Sequence, residues 1–166
     1  MAVDIGPRDF FESAIDNAAI GHTLMDFARD LARFHIIYLL EQKRLLEEAC
    51  LIVEKEAKRV IGTYDYGWPQ LKDTTQAERS RLGYPPNEPL LRTGELRDSI
   101  THEIEHGDTG YVGSPLKIAR YQELGTQHMP PRSFLMGAAM AKEKEIHELT
   151  AEFAHKCVVK ALSGMV

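Results

Sequence analysis

The chain has 166 residues, 43% hydrophobic and 27% charged, with a formal net charge of −5. That composition fits one globular domain with a modest core. The acidic balance argues against a protein that binds by neutralising many phosphates, and Arg79 with Arg81 is too small a basic cluster to reverse it. No apolar run approaches the length that spans a membrane. The opening "MAVDIGPRDFFE" carries acids and lacks an apolar core, so it does not read as a signal peptide. Cys50 and Cys157 lie far apart inside helical patterns and read as buried thiols.

In chain order, "DFFESAIDNAAIG" reads as a first helix. Asp9 caps it, Glu12 stands at capping-box spacing, and Gly21 ends it. From Leu24 to Ile61 there is neither Gly nor Pro. Leu24, Phe27, Leu31, Phe34, Tyr38, Leu45, Ile52 and Val60 recur at spacings near three, four and seven, which predicts a long amphipathic helix. At 1.5 Å per residue it would span about 57 Å, so it must bend, break or project. Gly62 stops it, giving an N-terminal helical region over residues 1–62. Within it "FHIIYLL" is apolar nearly all round. Phe34, Ile37, Tyr38 and Leu40 are therefore candidate interface residues, folded back on the chain or packed between subunits.

Residues 63–88 are turn-rich, with a short polar helical piece, "TTQAERSR". They predict a mobile surface excursion. Tyr64, Tyr66 and Trp68 cluster there, suited either to docking a neighbour or, for Trp68, to packing on the domain. Residues 89–166 then supply a sheet and a C-terminal helix, one structural domain with the rest. Ile100, His102, Ile104 and His106 alternate with polar residues at a period of two, "HGDTG" is a hairpin turn, and "YVGS" is the return strand. Ser114 caps a helix with Pro115 at its first position and Gly125 at its end. "TQHMPPR" is a loop. Ser133 caps a last helix from about Phe134 to Leu162, with Leu135, Ala139, Ile146, Leu149, Phe153 and Cys157 on one stripe.

"HEIEH" (His102 to His106) matches the short signature of a zinc hydrolase. That chemistry needs both histidines on one face of a helix. On a strand they stand about 13 Å apart at ~3.3 Å per residue, too far to share one zinc. On a helix with the stripe Leu96, Ile100 and Ile104 they would face solvent. The longer form of the motif fails too, since Thr109 holds its Gly position, and neither Glu123 nor His128 is marked as a third ligand. No Gly-rich phosphate loop, dinucleotide fingerprint or nucleophile elbow is present.

Two blocks carry more information: "PLLRTGELRDSI" and "VGSPLKIARYQELGTQHMPPRSFLMGAAM". Thr93, Gly94, Leu96, Ser99 and Ile100 are followed by Tyr121, Glu123, Gly125 and Thr126, then by Met129, Pro130, Arg132 and Phe134. In this order the chain resembles the tail-completion, or head–tail joining (neck), proteins of tailed phages. The likeness covers about residues 66 to 140, and Ser133 stands where that family usually has Pro. The resemblance implies an α+β fold, a small, mostly antiparallel sheet packed with long N-terminal and C-terminal helices. It implies a structural protein without catalysis or cofactor, located in the virion after assembly in the bacterial cytoplasm. Its partners would be the head connector and tail tube proteins, and it would form a homo-oligomeric ring, with neither membrane nor direct nucleic-acid binding. A bacterial adaptor sharing the fold is the other non-catalytic reading.

The residues themselves suggest roles. Gly94 sits at a chain reversal, Gly125 ends a helix with positive φ, Pro130 fixes an extended approach, and Phe134 plugs the core. Leu116, Ala119 and Glu123 share a stripe, so Glu123 points inward and needs a cation. Arg132 is the favoured partner and Arg97 the second.

Overall fold

The computed structural model describes residues 17–163, with side chains from residue 23. The described elements are α1 (Asn17–Val60), α2 (Asp73–Arg81), α3 (Glu95–Asp98), β1 (Thr101–Glu105), β2 (Thr109–Gly113), α4 (Lys117–Leu124) and α5 (Leu135–Ser163). The fold is α+β, a two-stranded antiparallel sheet with long helices at both ends of the chain. The expected stop at Gly21 does not occur, because α1 runs through that residue without a break. One glycine costs a helix interior only about 1 kcal/mol, which its many good helix formers absorb. The Asp9 cap and Glu12 lie outside the described residues.

The described residues divide into two compact units. One comprises residues 17–40 and 154–163, the other residues 41–153. The larger unit holds the main core. Ala57, Val60 and Ile61 of α1 meet Trp68, Leu96, Ile100, Ala119, Phe134 and Ala138 there. Phe134, Ile100 and Val60 are fully buried.

The hairpin follows from alternation. β1 pairs with β2 from Thr101↔Gly113 to Glu105↔Thr109. His102 and Ile104 are half-buried, while Thr101, Glu103 and Glu105 are exposed. The turn places His106 at φ 53° and Gly107 at φ 81°, the two central positions of a turn closed by Asp108 N–H donating to Glu105 O at 3.3 Å.

Residues 63–88 are not the free excursion their composition predicts. Gly62 N–H donates to Pro89 O at 2.8 Å, closing the base of the segment. Tyr64 Oη donates to Asn87 Oδ1 at 2.6 Å and accepts from Leu71 N–H at 3.2 Å. The Arg79 guanidinium, projecting from α2, donates to the carbonyls of Glu88 and Leu91 at 2.7 and 3.0 Å. Polar side chains thus supply the partners that a ladder would give elsewhere. Trp68 is 8% exposed and belongs to the core, and Tyr66 meets it edge to face at 5.7 Å. The aromatics expected to dock a neighbour largely pack inward instead.

Tyr66 has a strict requirement on α5. A Cβ at Gly137 would lie 2.6 Å from two of its ring carbons. Gly137→Ala should therefore destabilise the protein by about 1–3 kcal/mol through overpacking, although alanine is the better helix former by about 1 kcal/mol. Urea unfolding measures the difference, and a stabilised variant would show that the ring moves aside freely.

Candidate functional site

The "HEIEH" residues serve the fold in separate ways. His102 lies on β1 with Nδ1 2.5 Å from Glu54 Oε2, and Lys58 Nζ donates to Glu54 Oε1 at 2.6 Å. His106 is in the turn with its side chain 80% exposed. Among the described residues no three His, Cys, Asp or Glu side chains gather as metal ligands. At Glu54, burial pushes the carboxyl upward, but the hydrogen bonds and charges of Lys58 and His102 outweigh it and hold the group below its usual range.

The motif residues of the second block converge on one carboxylate. α4 ends at Gly125, whose φ is 74°. A Cβ there would lie 2.8 Å from Pro131 N and 2.9 Å from Met129 O, so the returning backbone passes too close for any side chain. Thr126 N–H donates to Met129 O at 2.9 Å, and Arg132 N–H donates to Gln122 O at 2.7 Å. This return brings the start of α5 over Glu123. Its Oε2 accepts from Phe134 N–H at 2.8 Å and Leu135 N–H at 2.9 Å. Its Oε1 accepts from Met136 N–H at 3.0 Å and the Ser133 hydroxyl at 2.8 Å.

Glu123 is thus a cap delivered from another helix. The first N–H groups of α5 have no partner within the helix, and their partial positive charge favours an anion. The expectation of an inward Glu123 holds, but its cation is not an arginine. Arg132 is 6% exposed and turns the other way, with Nη2 donating to Pro69 O at 3.1 Å. Its Nε has no hydrogen-bond partner among the described residues. Arg97 pairs with Asp98 at the surface, 3.1 Å away. Ser133 does not cap α5 with its own oxygen either, since Met136 N–H is already taken by Glu123. One signal for this lay in the sequence: α5 has no acidic residue in its first turn. A long helix without a local anion must find its cap elsewhere.

The first block is equally architectural. Gly94, at φ 88°, precedes α3. Thr93 Oγ1 accepts weakly from Glu95 N–H at 3.4 Å. Leu96 is buried. Ser99 Oγ donates to Leu96 O at 2.8 Å and lies 2.7 Å from Ser114 Oγ. Ser114 accepts from Leu116 N–H, and α4 starts later than the expected Ser114 cap, at Lys117. A cleft of about 480 Å³ opens beside this block, lined by Arg79, Arg92, Thr93, Gly94, Lys117 and Gln122 among others. Arg92 stacks over the Tyr84 ring at 4.8 Å. Tyr121, Thr126 and Pro130 are exposed.

The candidate interface residues of α1 separate. Ile37 is 3% exposed and Phe34 half-buried, whereas Tyr38 and Leu40 are 37% and 71% exposed. Compared with known protein families, characterised proteins and solved structures, the chain matches none.

Two outcomes test this geometry. Glu123→Gln turns one acceptor into a donor facing N–H groups, and should cost about 1–3 kcal/mol in denaturant unfolding. Arg132→Met added to it should recover nothing, because the two side chains do not pair. For Glu54 the folded carboxyl titrates below the unfolded value of 4.5. Its stabilisation is present above that pH and lost as pH falls through the lower folded value. The stability gap between wild type and Glu54→Gln should therefore shrink as pH falls below 4.5.

Proposed function

We propose that the chain is a structural protein of the tailed-phage head–tail junction, a tail-completion or neck component that works by assembly. The reading rests on the ordered motif residues from Thr93 to Phe134. The observation that carries it is the use this chain makes of them. Leu96 and Phe134 fill the core, Ser99 ties α3 to the β2–α4 link, Gly125 permits the tight return, and Glu123 holds the head of α5. Residues spent this way make a rigid scaffold, which is what a particle joint requires. On this reading the partners are the head connector and tail tube proteins, copies of the chain form a ring in the particle, and no cofactor takes part.

The membrane side of the reading is simpler. Among the described residues no helix is long and apolar enough to cross a bilayer.

Inactivating the gene in the phage or prophage that carries it should leave filled heads and separate tails in electron micrographs of the lysate. The wild-type gene supplied in trans should restore joined particles, and a Glu123→Ala gene should restore few. Joined, infectious particles in the knockout would overturn the assignment.

A further inference from the structure

Three cations of the larger unit have no carboxylate of their own. Arg79, Arg92 and Lys117 line the cleft of about 480 Å³ beside the first motif block, and among the described residues none of them forms an ion pair. Arg79 is half-buried, with Nη1 committed to the carbonyls of Glu88 and Leu91 and with Nε and Nη2 left unused. Burial holds its guanidinium below the ordinary range, and the like charges of Arg92 and Arg132 push the same way, outweighing Tyr64 and Glu88. A cation in that setting is stabilised by an anion brought to it. The Arg92 guanidinium lies over the Tyr84 ring, 4.8 Å from its centroid, which fixes its plane while its N–H edge stays open to a ligand. α4 opens in the same wall without a side-chain cap, and its first N–H groups add partial positive charge. Gln122 also lines the cleft, and its Oε1 has no hydrogen-bond partner among the described residues. An unmet acceptor calls for an N–H or O–H donor.

We propose that this cleft binds an acidic peptide segment of a partner protein, with a carboxylate on the three cations, an apolar side chain on the cleft's own apolar wall, and a main-chain N–H toward Gln122. Charge, shape and size each bear on the choice. The wall includes Leu82 and Ile118, each 44% exposed, so the ligand is not a bare ion. The guanidinium fork matches a planar carboxylate, which accepts two N–H groups at once. Glu78 and Glu95 line the same cleft, and the chain carries a net charge of −5. That field repels a phosphate backbone, which brings many charges, but tolerates one carboxylate seated among three cations. The volume lies within the range of pockets that hold small ligands, and takes a few residues rather than a folded surface. This site does not depend on the head–tail reading.

An NMR titration of the full chain tests it. The probe is a pool of short peptides, acetylated and amidated at their ends, each with one Asp or Glu among Leu, Ile and Phe. The pool should shift the amide signals of Arg92, Gly94, Lys117 and Ile118 saturably, and a pool with Asn or Gln in place of the acid should leave them unmoved. Arg92→Gln combined with Lys117→Gln removes two exposed cations, and should weaken binding about tenfold while leaving the thermal melt unchanged. Lys144→Gln, exposed on α5 and outside the cleft wall, should bind as the wild type does. If the double variant disturbs folding, Lys117→Gln alone should still weaken binding. A cleft whose signals stay still at millimolar peptide overturns the proposal. So do equal binding of the neutral pool and affinity that the Arg92 and Lys117 variants leave untouched. Inorganic phosphate or a single-stranded oligonucleotide that displaces the peptides at lower concentration would also overturn it, in favour of a phosphate site.

Discussion

The larger unit depends on one carboxylate. Glu123 receives three backbone N–H groups and one hydroxyl. Hydrogen bonds to a charged acceptor contribute more than neutral ones, and their loss strands buried donors. The carboxylate also fixes geometry. It ties the last turn of α4 to the first turn of α5, so the loop between them must return on itself. Gly125 exists for that return, and the Arg132 N–H bond to Gln122 O clasps it. Phe134, the residue whose N–H enters the cap, is fully buried. The polar joint and the apolar plug are thus neighbours in sequence, and neither can shift without the other.

A second constraint works one residue further along α5. The Tyr66 ring lies where a side chain on residue 137 would be. Its hydroxyl donates to Glu56 Oε1 at 3.0 Å, and Arg59 reaches both Glu56 and Asp65. The hydrogen bonds from Arg59 hold the Glu56 carboxyl below its usual range, while burial and the neighbouring carboxylate keep the Tyr66 phenol protonated. Each group therefore stays in the charge state the network needs. Gly110 plays a like part under the hairpin, where a side chain would collide with Cys50 Sγ. Close approach at glycine, followed by a charged or aromatic lock, is how this small fold supplements the two strands found among its described residues.

What was legible in the sequence was periodic. The alternation through Ile100 to Glu105 specified a strand, the turn residues of HGDTG closed it, and an unbroken run without Gly or Pro specified α1. These signals are local, so local reasoning reads them. The stop at Gly21 failed because propensity is a weak prior against a long run of helix formers. The hydrogen bonds of residues 63–88 were not legible, because turn residues report backbone shape and not side-chain partners. Arg79 and Tyr64, which tie the segment down, act across many positions and leave no periodic trace. Glu123 was half legible: its stripe placed it inward, but electrostatic habit supplied an arginine where the structure uses a helix terminus. The partial positive charge of a helix N-terminus is one that no residue letter spells.

The motif residues and the outward surface carry different information. Leu96, Ser99, Glu123, Gly125 and Phe134 explain why the chain adopts this arrangement. They set the scaffold, and a fold alone does not choose among functions. The outward residues follow no such motif. Tyr111, Tyr121, Leu124, Met136 and Met140 are 55%, 49%, 67%, 60% and 70% exposed in the larger unit. Single exposed apolar residues are ordinary, but α1 between Leu24 and Leu40 is apolar beyond what its own unit covers. A helix built that way is stable only at the cost of a wet apolar stripe, or in company. The same chain therefore holds a scaffold set by buried polar joints and, at Leu24, Phe27 and Leu31 of α1, apolar side chains left exposed.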